Sequence, residues 1–212
     1  MDLGVYKLDE RQAILDFTLT AAHDEVAKRY EASLVNRKSD FNNIFLDKIA
    51  ELGSSCLDVG MAYGAQYFAL KAIHPTVQYA GAEISPDFIA KFLGRFKDGE
   101  FIPTVYNLTD YQNMFDIQSS SFDVVTARSV LRHYTPEHGF KIIDEMLRIA
   151  KKAVIVKFAT PIEFPDDIYT EAFGPWVGKG YYIEWSKPKW DAYCKDKKMV
   201  DSGSPLVHIF LK

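Results

Sequence analysis

Long apolar runs are missing from this sequence: nowhere in its 212 residues does it approach the roughly 20 consecutive apolar positions that a membrane-spanning helix needs. The opening residues, MDLGVYKLDERQAI, have neither a basic n-region nor a continuous apolar stretch, so no secretory signal is read there and a cytoplasmic location is the expectation. Cysteine is scarce. Cys56 and Cys194 show no metal-ligand spacing, and in that compartment a structural disulfide is not expected. Cys56 sits inside an apolar strand pattern, the usual setting of a small buried hydrophobe. Basic blocks are also lacking: 25 Lys and Arg stand against 29 Asp and Glu, a net charge of −4, with only local clusters such as KDKK. That removes the broad electrostatic footprint of a nucleic-acid binder. Repeats, low-complexity tracts and Gly/Ser linkers are absent too, which leaves one globular domain.

What is present is an alternation of short β-branched or apolar runs with amphipathic segments of helical period, the mark of an α/β domain with a mostly parallel sheet. The first fifty residues read as helical. In DFNNIFLDKIAEL, Phe41, Ile44, Phe45, Ile49 and Leu52 fall on one face, and Gly53 stops the helix. Strand-like runs follow at SCLDV, VQYAGAE, FIPTV, FDVVTA and AVIVKFA, the last apolar enough for a central strand buried on both faces. Between them, Ser85-Pro86-Asp87 and Thr135-Pro136-Glu137 are helix starts, each with a hydroxyl at the N-cap and proline at the first helical position. Phe140, Ile143, Leu147 and Ala150 give the second of these helices its expected buried face. Residues 160–185 are rich in aromatics, proline and glycine and too long for an ordinary connection, so they read as a lid or an elaboration. A short helix, SKPKWDAYCKDKK, leads to MVDSGSPLVHIFLK, two strands joined by a tight turn.

The chemistry concentrates around CLDVGMAYGAQYFAL. A buried strand, a glycine turn and a helix place backbone N–H groups and a positive helix end at the carboxyl edge of a parallel sheet, where ligands bind. Gly60 would admit a ligand close to the backbone, and Gly64 would let the following helix pack tightly. The loop alone is equally a plain strand-to-helix turn. Glu83, at the end of the next strand and at about the spacing of 20 residues where an acid accepts hydrogen bonds from ribose hydroxyls, points to an adenosine-bearing cofactor.

LDVGMAYG, GAEISPDFI, FDVVTARSVLRHYTPE and IIDEMLRIAKKAVIVKF, in this order and spacing, resemble the class I S-adenosylmethionine-dependent methyltransferases from about Ser54 to Phe158. The resemblance implies a Rossmann-like, doubly wound sheet of seven mostly parallel strands, with an antiparallel terminal strand, here PLVHIFL, inserted between the fifth and sixth. It also implies an N-terminal helical cap, placed at residues 1–52, before a cofactor-binding core at 53–212, the whole being one domain. The cofactor would be S-adenosyl-L-methionine. Asp58, Gly60, Met61, Ala62 and Gly64 match the loop beside its methionine half, and Glu83 with Ile84 the ribose end. Asn107 and Leu108 match the adenine end, and Ala127 and Arg128 the methyl-transfer end. Two departures are visible: Ala62 replaces the middle glycine of GxGxG, and KKA replaces the usual P-G-G turn before the fifth strand.

Methyl transfer is an in-line displacement, so alignment and water exclusion dominate and a base is needed only for a protonated nucleophile. His133 is the candidate base or substrate contact, since imidazole ordinarily titrates near neutral pH, with a packing role as the alternative. His23, Tyr30 and Arg37 lie in the segment that folds over the cofactor in similar enzymes, and Arg37 is a candidate partner for its carboxylate. Phe164, Tyr169, Phe173, Trp176, Tyr181, Tyr182 and Trp185 either wall an acceptor site, with Trp176 and Tyr182 as substrate contacts, or pin a long loop to the core. The expected activity is O- or N-methylation of a small-molecule acceptor, with no metal. The rivals are an RNA or protein target, a nicotinamide-dependent oxidoreductase, and a non-catalytic protein of this fold that binds a cofactor or a partner.

Overall fold

The computed structural model describes residues 40–174 and 178–212. Numbered from the first described element, they form α1 (Asp40–Leu52), β1 (Ser55–Val59), α2 (Ala65–Ile73), β2 (Gln78–Glu83), α3 (Pro86–Leu93), β3 (Thr104–Asn107) and β4 (Phe122–Arg128). A 3-10 turn at Leu131–His133 precedes α4 (Pro136–Ile149), β5 (Ala150–Lys157), β6 (Ile168–Gly174), β7 (Gly178–Glu184), α5 (Lys187–Cys194), β8 (Met199–Val200) and β9 (Val207–Leu211).

Among the described residues, seven strands form one sheet in the order β3-β2-β1-β4-β5-β9-β8. The five from β3 to β5 are parallel, and β9 lies antiparallel between β5 and β8, where the resemblance placed PLVHIFL. Side chains alternate along β5. Ala153 and Ile155 join Phe45, Leu46, Ile49, Ala69 and Leu70 on one side of the sheet, while Val154 and Val156 join Ile142, Ile143, Met146 and Phe210 on the other. Helices therefore cover both faces, which explains the near-continuous apolar character of that strand.

Several boundaries and faces differ from the sequence reading. The third strand begins at Thr104, not Phe101, because Pro103 has no N–H for the ladder and pairing with β2 starts at Ala80↔Thr104. The fifth begins at Ala150 rather than Ala153. On α1, Leu46 is fully buried beside Phe45 and Ile49, while Ile44 is half-buried. On α4 the buried face is Ile142, Ile143, Met146 and Ile149; Phe140 is only half-buried, stacked on Tyr193 of α5 at 4.2 Å and edge-on to Trp185. Thr135 takes the N-cap position without a side-chain cap bond, whereas the Ser85 hydroxyl accepts from the Phe88 N–H at 3.4 Å. The aromatic segment contains the β6–β7 hairpin. Among the described residues no helix is long and apolar enough to cross a membrane.

Candidate functional site

The parallel register brings five strand ends to one edge. Val59 of β1 lies between Ala82 of β2 and Ala127 of β4; Glu83 is opposite Asn107, and Arg128 is opposite Lys157. That edge, outside the carboxyl ends of the strands and at the reversal of strand order beside β1, is where an open α/β sheet takes its ligand.

The turn after β1 is fastened to the end of β2. The N–H groups of Gly60 and Met61 donate to the Ala82 carbonyl at 2.8 and 3.3 Å, and the Ala62 N–H donates to Glu83 Oε2 at 2.9 Å. Gly60 has φ 72°, and a Cβ there would lie 2.3 Å from Val130 Cγ2, so both the backbone and the packing demand glycine. Gly64 caps α2 at φ 75° with no side-chain bond, leaving that helix start without a side-chain acceptor. Ala62 adopts φ 47°, left-handed backbone that costs an L-residue about 1–2 kcal/mol. Met61 is buried and packs over Gly81.

Glu83 is 2% exposed, and its carboxylate is held by four donors. Oε1 accepts from the N–H groups of Ile84 and Ser85 and from the Tyr111 hydroxyl, at 2.8, 3.0 and 3.0 Å, while Oε2 accepts, among the described residues, from Ala62. Burial raises the acid's pKa, and the N–H groups of Ser85 and Ala62 lead the donors that oppose the rise. With one donor on Oε2, a lone pair there remains for a ligand hydroxyl. Ile84 and Leu108 are buried beside it, and Asn107 is exposed at the end of β3. This acceptor in a fixed orientation, next to a glycine turn and an uncapped helix start, fits the ribose and methionine ends of an S-adenosylmethionine-type cofactor.

Asp58 is turned inward. Its carboxylate accepts from the Tyr79 hydroxyl at 2.8 Å and from Thr126 Oγ1 at 3.4 Å, and Thr126 in turn accepts from Gln66 Nε2 at 2.8 Å. Burial raises its pKa to about 6, opposed by the Arg128 charge and the Tyr79 bond. In this geometry Asp58 anchors a polar network under the edge.

Beyond β4 the chain turns through Ser129, at φ 59°, whose N–H donates to the Lys157 carbonyl at 2.8 Å. His133 follows on the 3-10 turn, its ring 5.2 Å from that of Tyr182 on β7. Arg132 lies 3.8 Å over the same tyrosine ring and donates to Glu184 Oε1 at 3.0 Å; the Thr160 hydroxyl donates to Oε2 of that glutamate. The hairpin is thereby tied to the end of β4. Ala127 is buried and Arg128 half-buried. Of the aromatic segment, Tyr182 reaches the edge, whereas Trp185 is core: it is 1% exposed and donates from Nε1 to the Tyr134 carbonyl at 2.9 Å. His23, Tyr30, Arg37 and Trp176 lie outside the described residues, as do the side chains of Phe173 and Tyr181.

Three contributors were not singled out in the sequence. Tyr111 occupies a polar stretch without periodicity, and Thr126 reads as an ordinary strand residue. Lys157 closes an apolar run and looks like a strand end.

Residues 57–156 match the model of a family described as a methyltransferase domain. No curated protein sequence matches the chain. Among solved structures, the chain is similar to magnesium protoporphyrin IX methyltransferase from Synechocystis PCC 6803 with bound S-adenosylmethionine, at 13% identity over 98% of this chain and 99% of that one, TM-score 0.61. It is also similar to an S-adenosylmethionine-dependent methyltransferase from Clostridium acetobutylicum ATCC 824, at 12% identity, 89% and 97% coverage and TM-score 0.60. An amino pentose methyltransferase from Micromonospora echinaspora aligns at 13% identity, 94% and 95% coverage and TM-score 0.56. At these identities the likeness to the three structures is one of fold.

Proposed function

We propose that the chain is a class I S-adenosylmethionine-dependent methyltransferase that methylates oxygen or nitrogen of a small-molecule acceptor, a reading supported by the match of residues 57–156 to a methyltransferase-domain family and by the shared fold. The observation that carries the reading is the covered edge beyond β4. Tyr182 and Glu184 of β7 sit against His133 and Arg132, so the acceptor side is walled by the chain's own hairpin, a geometry suited to a small ligand. A net charge of −4 supports a small molecule over a nucleic acid.

When bound, S-adenosylmethionine supplies an electrophilic sulfonium methyl. Glu83 would accept from the ribose hydroxyls through Oε2, and Asn107 would offer its side-chain carbonyl to the adenine amino group, with Ile84 and Leu108 beside the base. The turn from Gly60 to Gly64, shaped by Met61 and Ala62, would hold the methionine half, and Asp58 supports that turn from below. Ala127 and Arg128 would border the methyl group. His133 orients the acceptor or takes its proton, and Tyr182 excludes water beside it. Tyr30, Arg37 and Trp176 belong to this proposal on the sequence resemblance alone.

Calorimetry with S-adenosylhomocysteine tests the cofactor half: saturable binding is expected, and none at millimolar ligand would defeat the enzyme reading. Incubation with labelled methyl donor and fractionated small-molecule pools tests the acceptor half. Label recovered in protein or RNA, with none in the small-molecule fraction, would replace the acceptor class.

A further inference from the structure

The connection from β3 to β4, residues 108–121, runs from the carboxyl edge of the sheet to its amino edge without a helix. A parallel crossover usually satisfies its backbone inside a helix, so an irregular one must find partners elsewhere. Its ends are tied directly. The Leu108 N–H donates to the Glu83 carbonyl at 2.8 Å, and the N–H groups of Ser120 and Ser121 donate to the Arg148 and Ile149 carbonyls at 3.0 and 2.9 Å. Between those ends the Arg148 guanidinium, near the end of α4, holds the chain. Nη2 donates to the Met114 carbonyl at 2.9 Å, and Nη1 donates to the Ile117 carbonyl at 3.0 Å and to Ser119 Oγ at 2.9 Å. The N–H of Nε and the other of Nη2 go to the Glu145 carboxylate one turn back, at 3.1 and 2.9 Å. Every guanidinium donor is thereby engaged, which fixes the fork in one orientation.

The same connection carries Tyr111, whose hydroxyl donates to Glu83 Oε1 at 3.0 Å. Tyr111, Met114 and Ile117 are buried together in one cluster with Met146 and Ile149 of α4, so in a close-packed interior the tyrosine ring moves only if its neighbours do. A continuous set of contacts therefore links the end of α4, at the amino edge, to the carboxylate at the carboxyl edge. Glu145 orients Arg148, Arg148 fixes the backbone at Met114 and Ile117, and that stretch sets Tyr111 against Glu83. We propose that Arg148 is a positioning residue for the cofactor site: by fixing this connection it places the Tyr111 hydroxyl on Glu83, and through that carboxylate it sets the affinity for the ribose end of the cofactor. The inference rests on the methyltransferase reading above. It adds to that reading a residue on the far side of the sheet that acts only through Tyr111.

The test is a cycle of S-adenosylhomocysteine affinities, measured by calorimetry on the full chain for wild type, Arg148→Met, Tyr111→Phe and the double variant. Arg148→Met keeps an aliphatic stem and removes the fork. It is expected to weaken binding about threefold to tenfold, and by no more than Tyr111→Phe does, since its effect passes through that hydroxyl. In the Tyr111→Phe background the same change should alter affinity by less than about twofold. Arg148→Lys keeps the charge but lacks the planar fork, so its affinity should fall between wild type and Arg148→Met, and it takes the place of Arg148→Met in the cycle if that variant does not fold. An arginine that only stabilises the fold would lower the urea midpoint and leave the affinity of the folded chain unchanged, and that result overturns the proposal. An equal loss of affinity with and without the Tyr111 hydroxyl also overturns it, because the effect would then bypass Tyr111. Either result, with S-adenosylhomocysteine still bound by wild type, leaves the methyltransferase reading standing. No binding by the wild-type chain overturns both.

Discussion

The Ala62 N–H donates to Glu83 Oε2 at 2.9 Å from a residue held at φ 47°, so the contact that joins the turn after β1 to the end of β2 is made in left-handed backbone. An alanine there forgoes the freedom that glycine has. Ala62→Gly is expected to raise stability by about 1 kcal/mol in urea unfolding, the relief of strain exceeding the entropy added to the unfolded chain. A lower midpoint would mean that the methyl group packs more than it strains.

Glu83 both orients the loop and offers its free lone pair. Glu83→Gln replaces one carboxylate oxygen by an NH2 group that must face a donor, either Ala62 N–H or the Ile84, Ser85 and Tyr111 set. S-adenosylhomocysteine should bind roughly tenfold to a hundredfold more weakly, the loss of a charged hydrogen bond. Tyr111→Phe removes a single neutral donor and should cost less than about tenfold. Equal affinity for wild type and Glu83→Gln, measured by calorimetry, would remove the ribose from this carboxylate.

Asp58 gives a pH signature. Burial sets its folded-state pKa at about 6, above the ordinary 3.8, so the unfolded chain releases this proton more readily than the folded one. The folded state is therefore increasingly penalised as pH rises from about 3.8 to about 6, and the penalty is constant above that. Asp58→Asn cannot ionise but can still accept from Tyr79. Its stability relative to wild type should grow as pH is raised from about 3.8 to about 6 and then level off, read from urea midpoints at several pH values. A difference that stays flat with pH would mean that the carboxyl titrates normally.

The hairpin's attachment is open to proteolysis. Glu184 joins Arg132 and Thr160, with the Arg132 and Glu184 side chains 19% and 17% exposed, so Glu184→Gln loses a partly buried charged hydrogen bond of about 1.5–3 kcal/mol. Thermolysin should cut within residues 160–185 faster in the variant than in wild type, with cleavage sites found by mass spectrometry. Unchanged cutting would show that the hairpin is held by its apolar contacts instead.

Local signals in the sequence carried the strand and helix order well, because each element announces itself within a few residues. Ser85 before Pro86 marks the start of α3, and the apolar run of β5 marks a strand covered on both sides. The hairpin was less legible, since IYTEAFG and GKGYYIE lack clean alternation and carry glycines that read equally as loop. Within the site, Glu83 was found by its spacing from the turn. Its fourth donor was not, because Tyr111 is 28 residues away, in the loop after β3, and meets it only because β3 pairs with β2. Asp58 was expected to line the methionine side, while its inward network depends on Tyr79 and Thr126 from two neighbouring strands. Lys157 is a single cation in a hydrophobic string, and only the parallel register places it beside Arg128.

The position of β9 bears on how the chain is made. It is an interior strand, hydrogen-bonded to β5 on one side and β8 on the other, yet it is the last strand in the described chain to be synthesised. Until Val207–Leu211 has left the ribosome, β5 presents an unpaired apolar edge of the kind that recruits other chains. A chain ending at Val200 is thus expected to sediment with the aggregated fraction after expression, and a well-dispersed, folded product would contradict this. Completion of the sheet therefore waits for β9, a strand made after both of the neighbours it joins.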